Sequence, residues 1–382
     1  MGNISAIKSN IAKLCSNYPD QYWRNLDEKG EYPSDFVNEL SKEGFLSCLI
    51  PEEFGGSGLG LIEAAAILEE VSYNGCNAGA CHAQMYVMAS ILKYGTQEQK
   101  ELYLPQISSG KLRLQSFGVT EPDSGTDTTN LKTTAKKIDS NYVINGKKVW
   151  ISRVEYSDIM VLLARTKAKK DCAKKSDGLS AFIIDLKKAI GNGLTVKPID
   201  AMINHHACEL FIDDLVVPAE QILGKENEGF QVVLDAMNAE RILIAAECIG
   251  DSRYFIKKAT DYASNRIVFG KPIGSNQGVS FPLARAHANM IAAKLLVEKA
   301  ANLFDSNEHC GAEANMCKML ASENSWFSGD IAMQTFGGFA FSKDYHIERK
   351  FRETRLYQIA PVSTNLILSY IAEHELGLPR SY

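Results

Sequence analysis

The apolar residues of this chain change their spacing twice, and few folds are compatible with that. From about Ser34 to Ser109 they recur at helical intervals, as in Leu61, Ala64, Ala65, Leu68 and Val71, which predicts about four to six helices. Between about Ser116 and Gly224 they fall into short β-type runs: Thr133-Thr134-Ala135, Tyr142-Val143-Ile144, Ile159 to Ala164, Ala181-Phe182-Ile183-Ile184, Leu194-Thr195-Val196 and Glu209-Leu210-Phe211-Ile212. Asn145-Gly146, Ser176-Asp177-Gly178 and Gly191-Asn192-Gly193 punctuate these runs and read as hairpins and turns. Helical spacing then returns over Phe230 to about Asn265, Gln277 to Phe304, Glu313 to Phe336 and Ser363 to His374. Strands do not alternate with helices, which argues against parallel βαβ units. The pattern predicts a mainly α chain with an inserted β-domain. Residues 1–115 form an N-terminal helical domain, residues 116–224 a middle antiparallel β-domain or barrel, and residues 225–382 a C-terminal antiparallel helical bundle.

Composition narrows the function. At 382 residues, 45% hydrophobic and 23% charged, the chain can bury a large core. A net charge of −5 and a pI of about 5.9 give no positive field to hold a nucleic acid or an anionic membrane, so neither is an expected partner. Nine cysteines, an odd number without a C-x-x-C pair, fit a reducing compartment. The N-terminus shows no basic-then-apolar leader, and Met1-Gly2 is followed by Ala6 where myristoylation would want Ser or Thr. Apolar runs such as Ile159 to Ala164 are far shorter than the roughly 20 residues that span a bilayer. The expectation is a soluble, cytoplasmic protein.

The glycine-rich stretch Gly55 to Gly60 lacks a dinucleotide fingerprint because Leu61 stands where glycine or alanine is needed, and it reads as a flexible connection between helices. Lys167 to Lys175 reads as a solvated loop. His205-His206 lacks the spacing of a metal site and reads as surface or loop, so no metal is expected.

Three constellations carry chemistry. Glu240 and Arg241 interrupt the strongly apolar run Val232 to Ala246, and neither has an opposite charge three or four residues away. Either an inter-helix ion pair holds them, or Arg241 faces a ligand beside a carboxylate whose pKa is raised by burial, which makes a usable base. Phe117 to Asp127 is a turn rich in hydroxyls and backbone N–H groups that can wrap an anionic or heteroaromatic ligand, with Trp150-Ile151-Ser152 about 25 residues on. Gln334-Thr335-Phe336-Gly337-Gly338 would let a backbone or a phosphate approach a helix end.

The order of these elements resembles the acyl-CoA dehydrogenase family of flavoproteins. The resemblance runs from about Phe36 to Ala372 through Pro51-Glu52-Glu53-Phe54-Gly55-Gly56, Val119-Thr120-Glu121-Pro122, Val143 to Ser152, Arg266-Ile267-Val268-Phe269-Gly270, Gln334 to Gly338, and Arg355-Leu356-Tyr357-Gln358-Ile359. It implies the family's three-domain fold and FAD held between the β-domain and the C-terminal bundle of a homotetramer. By that resemblance Val119 and Thr120 meet the flavin ring, Thr126 meets the pyrophosphate, and Trp150 and Ser152 cover the ring near N5. Arg266, Phe269 and Gln277 reach a neighbouring subunit's FAD, with Gln334, Gly337 and Gly338 completing that pocket, while Ser363 and Asn365 match further flavin-contacting positions. Arg241 matches the arginine near the acyl-CoA, and His82, Gln84 and Met85 are candidate acyl-pocket residues.

The implied reaction is FAD-dependent α,β-dehydrogenation of an acyl-CoA thioester, short, branched or medium, with electrons passed to a flavoprotein or similar acceptor. Most members place the catalytic glutamate where this chain has Pro361, which offers neither acid–base chemistry nor a backbone N–H. A minority place it directly before the substrate arginine, which makes Glu240 the candidate base. The alternatives are a related flavin enzyme with altered chemistry, either a monooxygenase or a carrier-protein thioester dehydrogenase, and a non-catalytic member that acts as an assembly or binding partner.

Overall fold

A computed structural model describes residues 4–380 of the chain, so Met1 and Gly2 lie outside the described residues. Six helices open the chain: α1 (Ile4–Cys15), α2 (Asp20–Lys29), α3 (Ser34–Lys42), α4 (Leu61–Tyr73), α5 (His82–Tyr94) and α6 (Gln97–Ser108). The last four fall in the stretch read as helical from Ser34, and Leu61, Ala64, Ala65, Leu68 and Val71 form a buried stripe of α4. The Gly55 to Gly60 loop leads into α4, with Gly55, Ser57 and Gly58 exposed, and is held by hydrogen bonds. Gly58 and Leu59 donate backbone hydrogen bonds to Ile50 and Cys48, and Asp305 accepts from the Leu61 and Ile62 amides at the start of α4.

The middle part is an eight-stranded sheet made of β1 (Leu114–Gly118), β2 (Thr134–Ile138), β3 (Asn141–Ser152), β4 (Ile159–Arg165), β5 (Leu179–Asp185), β6 (Leu194–Pro198), β7 (Ala207–Pro218) and β8 (Ile222–Leu223), with the one-turn helix α7 (Leu186–Ala189) between β5 and β6. The order is β6-β7-β3-β2-β4-β5-β8, with β1 pairing parallel to β4 and β2 meeting β4 in parallel through Thr134 and Arg165. All other pairings in this sheet are antiparallel. Asn145-Gly146 is no hairpin turn: it sits inside β3, where the register against β7 shifts between Ile144 and Gly146. The glycine serves a close approach, because a Cβ there would lie 2.3 Å from Thr133 Oγ1. Lys167 to Lys175 is an exposed loop apart from the half-buried Cys172.

The C-terminal part contains α8 (Gly229–Asn265), the small hairpin β9 (Ile267–Val268) and β10 (Lys271–Pro272), α9 (Gln277–Asp305), α10 (Gly311–Phe336), α11 (Ile347–Arg355) and α12 (Thr364–Tyr370). Helix α8 has 37 residues, about 55 Å at the usual rise per residue, so it runs from the sheet through the helical body. Its first residue packs on β5, where a Cβ at Gly229 would lie 2.4 Å from the Ala181 amide. Further along it packs against α4, α5, α9 and α10. The helices share one core, the interior of the sheet has its own, and a third lies between α8 and α10. All nine cysteines are free. Among the described residues no helix is long and apolar enough to cross a membrane.

Candidate functional site

A cavity of about 180 Å³ lies where α5, the segment after β1, the end of β3, α8 and the turn after α11 converge. A larger cavity of about 670 Å³ lies elsewhere, between α6 and the sheet, and holds none of the candidate residues.

Glu240 reaches the first cavity from the first third of α8 and is buried. Burial pushes its carboxyl up to about 7, and Glu247 adds to the rise, while a hydrogen bond from the Tyr86 hydroxyl and the charges of Arg241 and Lys318 pull it back. A carboxyl held near 7 is poised to take a proton at neutral pH. Arg241 stands about 100° around the helix and does not line this cavity. Its Nη1 donates to Asn315 Oδ1 on α10 at 2.8 Å, Nη2 donates to Asn238, and Nε has no partner. Among the described residues neither side chain forms an ion pair, so an inter-helix salt bridge does not account for Glu240 and Arg241.

Two turns beyond Glu240, Glu247 accepts from His82 Nδ1 at 2.7 Å and from the Tyr357 hydroxyl at 2.9 Å. This buried side chain fixes two cavity-lining residues, His82 and Tyr357. Gln84 and Met85 follow His82 on α5 but turn into the protein interior, where Met85 is fully buried in the core and Gln84 Oε1 has no partner. Pro361 lines the cavity together with Glu240. The Lys318 ammonium, pushed down to about 8 chiefly by burial, donates to the neighbouring Val362 carbonyl at 2.6 Å and so anchors that turn.

Val119 and Thr120 line the opposite wall. They are held by a buried ion pair in which Lys148 donates to Glu121 at 2.9 Å and to the Val119 carbonyl at 3.1 Å. Glu121 also accepts from the amides of Lys132 and Thr133 at 2.5 and 3.0 Å. The glutamate of the Thr-Glu-Pro run therefore shapes the loop and does not face the cavity. Thr126 is exposed and outside the cavity, which Gly125 and Thr128 line instead. At the end of β3 the pairing with β7 breaks between Lys148 and Ile151, and Trp150, at φ +60°, swings out to the cavity rim with 58% of its surface exposed. Ser152 lines the cavity and meets His205 Nε2 at 2.9 Å. His205 is thus in a loop, as expected, but not at the surface: it lines the cavity from the segment before β7.

The remaining candidates lie outside this cavity. Arg266, Phe269, Gln277, Gln334, Gly337 and Gly338 are exposed on the C-terminal part, with Phe269 at 99% exposure on the tip of the β9–β10 hairpin. Ser363 caps α12 by accepting from the Leu366 amide at 3.3 Å, and Asn365 is exposed. Sequence reasoning missed Tyr86, Gln115, His205, Met237 and Tyr357 as cavity residues. Tyr86 was within reach, four residues after His82 on the same helix face, whereas His205 gave no local signal. The wall of Val119, Thr120 and Ser152 with the half-open Trp150 ring suits a flat heteroaromatic group with polar atoms on its edge, because the Ser152 hydroxyl opens on the cavity with His205 Nε2 as its one side-chain partner among the described residues. The donor set thus fits a flavin.

Comparison with known proteins gives a consistent result along the whole chain. The models of the acyl-CoA dehydrogenase N-terminal, middle and C-terminal domains match residues 3–111, 116–215 and 227–376. An acyl-CoA dehydrogenase of Mycobacterium tuberculosis (strain ATCC 25618 / H37Rv) is 34% identical, over 99% of this chain and 97% of its own. The caffeyl-CoA reductase-Etf complex subunit CarC of Acetobacterium woodii is 33% identical over 87% of each chain. The structure of glutaryl-coenzyme A dehydrogenase with glutaryl-CoA is similar at a TM-score of 0.92 and 28% identity, covering 100% of this chain and 97% of that one.

Proposed function

The chain belongs to the acyl-CoA dehydrogenase family, FAD-dependent oxidoreductases acting on CH–CH bonds, and on that premise we propose that Glu240 is the base that takes the proton from the carbon next to an acyl-CoA thioester. The observation that carries this assignment is the buried Glu240 carboxyl in the cavity, raised to about 7. Pro361 shares the cavity and has no proton-accepting group, so Glu240 fills a role that position cannot.

Val119, Thr120, Trp150 and Ser152 would hold the flavin ring at the wall facing α8. Bound FAD supplies the acceptor for the hydride that leaves the neighbouring carbon. The Tyr86 hydroxyl holds Glu240 in place, and the Glu247 carboxylate fixes His82 and Tyr357, so the acyl group meets a rigid wall. Burial serves the base twice. It excludes water from the carboxylate, and it brings its proton affinity toward that of the weak carbon acid it must deprotonate.

Arg266, Phe269, Gln277, Gln334, Gly337 and Gly338 are assigned to a neighbouring subunit's FAD in a homotetramer, and their exposure supports a second copy against that face. An electron-transferring flavoprotein is the proposed acceptor, in keeping with the relative named for its complex with one.

The deciding experiment has two steps. Acid release and mass measurement should give about one FAD per chain. Anaerobic addition of a panel of acyl-CoA thioesters should then bleach the flavin, and enoyl-CoA thioesters should reoxidise the reduced protein. Turnover that needs oxygen would indicate a monooxygenase, and a flavin that no thioester bleaches would indicate a non-catalytic member.

A further inference from the structure

Two members of a hydrogen-bond chain beside the cavity, His205 and Arg153, have no task in the reaction described above. The Ser152 hydroxyl lies 2.9 Å from His205 Nε2, and His205 Nδ1 lies 3.3 Å from Arg153 Nη2. His205 reaches this position from the loop before β7, and both Ser152 and His205 line the cavity.

Donor and acceptor chemistry fixes the direction of both contacts. A guanidinium can only donate, so His205 Nδ1 accepts. Burial first, then the charges of Arg153, His82 and His206, keep the imidazole well below its ordinary pKa. The ring is therefore neutral, and its single N–H is on Nε2. That N–H donates to Ser152 Oγ, which leaves the serine's own hydrogen to find an acceptor elsewhere. The Ser152 carbonyl, for its part, accepts from Ser116 Oγ at 3.0 Å.

Arg153 is an expensive residue in this place. It is 2% exposed, its Nη1 has no partner, and its backbone sits in the left-handed region at φ +58°. Its amide is held by the His206 carbonyl at 2.8 Å, so the strand end and the histidine loop clamp each other.

We propose that Arg153 and His205 form a one-way hydrogen-bond relay that makes Ser152 an obligate donor into the cavity, with N5 of the oxidised flavin ring as its acceptor. This rests on the flavin-binding reading above. Arg153 and His205 act here as positioning residues: the cation at the far end polarises each bond in turn, and the serine hydroxyl loses the freedom to rotate away from the ligand. A serine without the histidine could accept as readily as donate.

The test exchanges the FAD of the holoprotein for 5-deaza-FAD, in which a C–H replaces N5, and measures the relative affinity of the two flavins by competition. The parent should prefer FAD by about tenfold, the worth of one hydrogen bond. Ser152→Ala and His205→Leu should each bring the ratio near unity, and the double substitution should take it no lower. His205→Gln can donate an amide N–H to Ser152 and should keep most of the preference, which also covers the case that His205→Leu does not fold. A His205→Leu protein with the parent's ratio overturns the relay, as does a His205→Gln protein that has lost all preference. A parent that binds both flavins equally overturns the relay and leaves the flavin reading standing, whereas a parent that takes up neither flavin removes that reading itself.

Discussion

Glu240 combines two demands at one carboxyl: it must be dry enough to be basic and open enough to meet a substrate carbon. If it is the base, Glu240→Gln should slow flavin reduction by about a hundredfold or more while FAD and thioester still bind, as stopped-flow reduction and a binding titration can check. Reduction in the parent should rise with pH through about 7 and level off above it, because only the carboxylate accepts a proton. The same shift makes a stability prediction. The folded carboxyl keeps its proton up to about 7, against an ordinary value of 4.5, so this contribution to stability is fully present below 4.5, falls as pH rises, and is gone above 7. Glu240→Gln never ionises, so relative to the parent it should gain up to about 3 kcal/mol between pH 4.5 and 8. Urea unfolding at the two pH values measures this, and an unchanged difference would mean the carboxyl is not desolvated. Pro361→Glu in the Glu240→Gln background should restore part of the reduction rate, since both positions open on one cavity.

Among the elements, the loop after β1 and the strand β3 are joined by the Lys148–Glu121 pair, with the Lys148 side chain fully buried and its ammonium pushed down to about 8, chiefly by burial. Removing one partner strands the other charge in the interior. Glu121→Ala should therefore cost about 3–5 kcal/mol in unfolding free energy and weaken FAD retention, while Glu121→Leu with Lys148→Met should recover much of the stability. If Glu121→Ala retains the parent's midpoint in urea, the pair does not hold the loop. This element also shows how far the sequence could be read. Long helices and buried strands repeat their pattern over many residues, so α4, α8, α9, α10 and most of the strands could be placed from spacing alone. Asn145-Gly146 looked like a turn because the dipeptide favours one, but tertiary packing against Thr133 puts the glycine in a bulge of β3. Glu240 stood out as a charge in an apolar helix. His205 and Glu247 did not, because their roles come from partners 53 and 165 residues away, which local pattern cannot encode.

At the scale of the whole molecule, the exposed apolar side chains of the C-terminal part are difficult to account for in a single chain. The β9–β10 hairpin pairs only two residues on each strand, too few to be stable without other support. It carries exposed Ile267 and Val268 with Phe269 at its tip, and Phe281, Phe339 and Phe341 are also exposed in this part of the chain, Phe341 at 79%. Each ring left in water forgoes roughly 1.5–3 kcal/mol that burial would supply, so a cover for this surface has a clear driving force. A second copy is the proposed cover. Phe269→Asp should then shift the oligomer toward smaller species in light scattering without unfolding the subunit, because the side chain touches little of its own chain. Arg266→Ala should weaken flavin retention in the assembled protein, because it removes a cation assigned to a neighbour's pyrophosphate. The two measurements are linked. If Arg266 serves its neighbour, the Phe269→Asp species should also lose FAD as it dissociates, whereas a monomer that retains full FAD would refute the shared site.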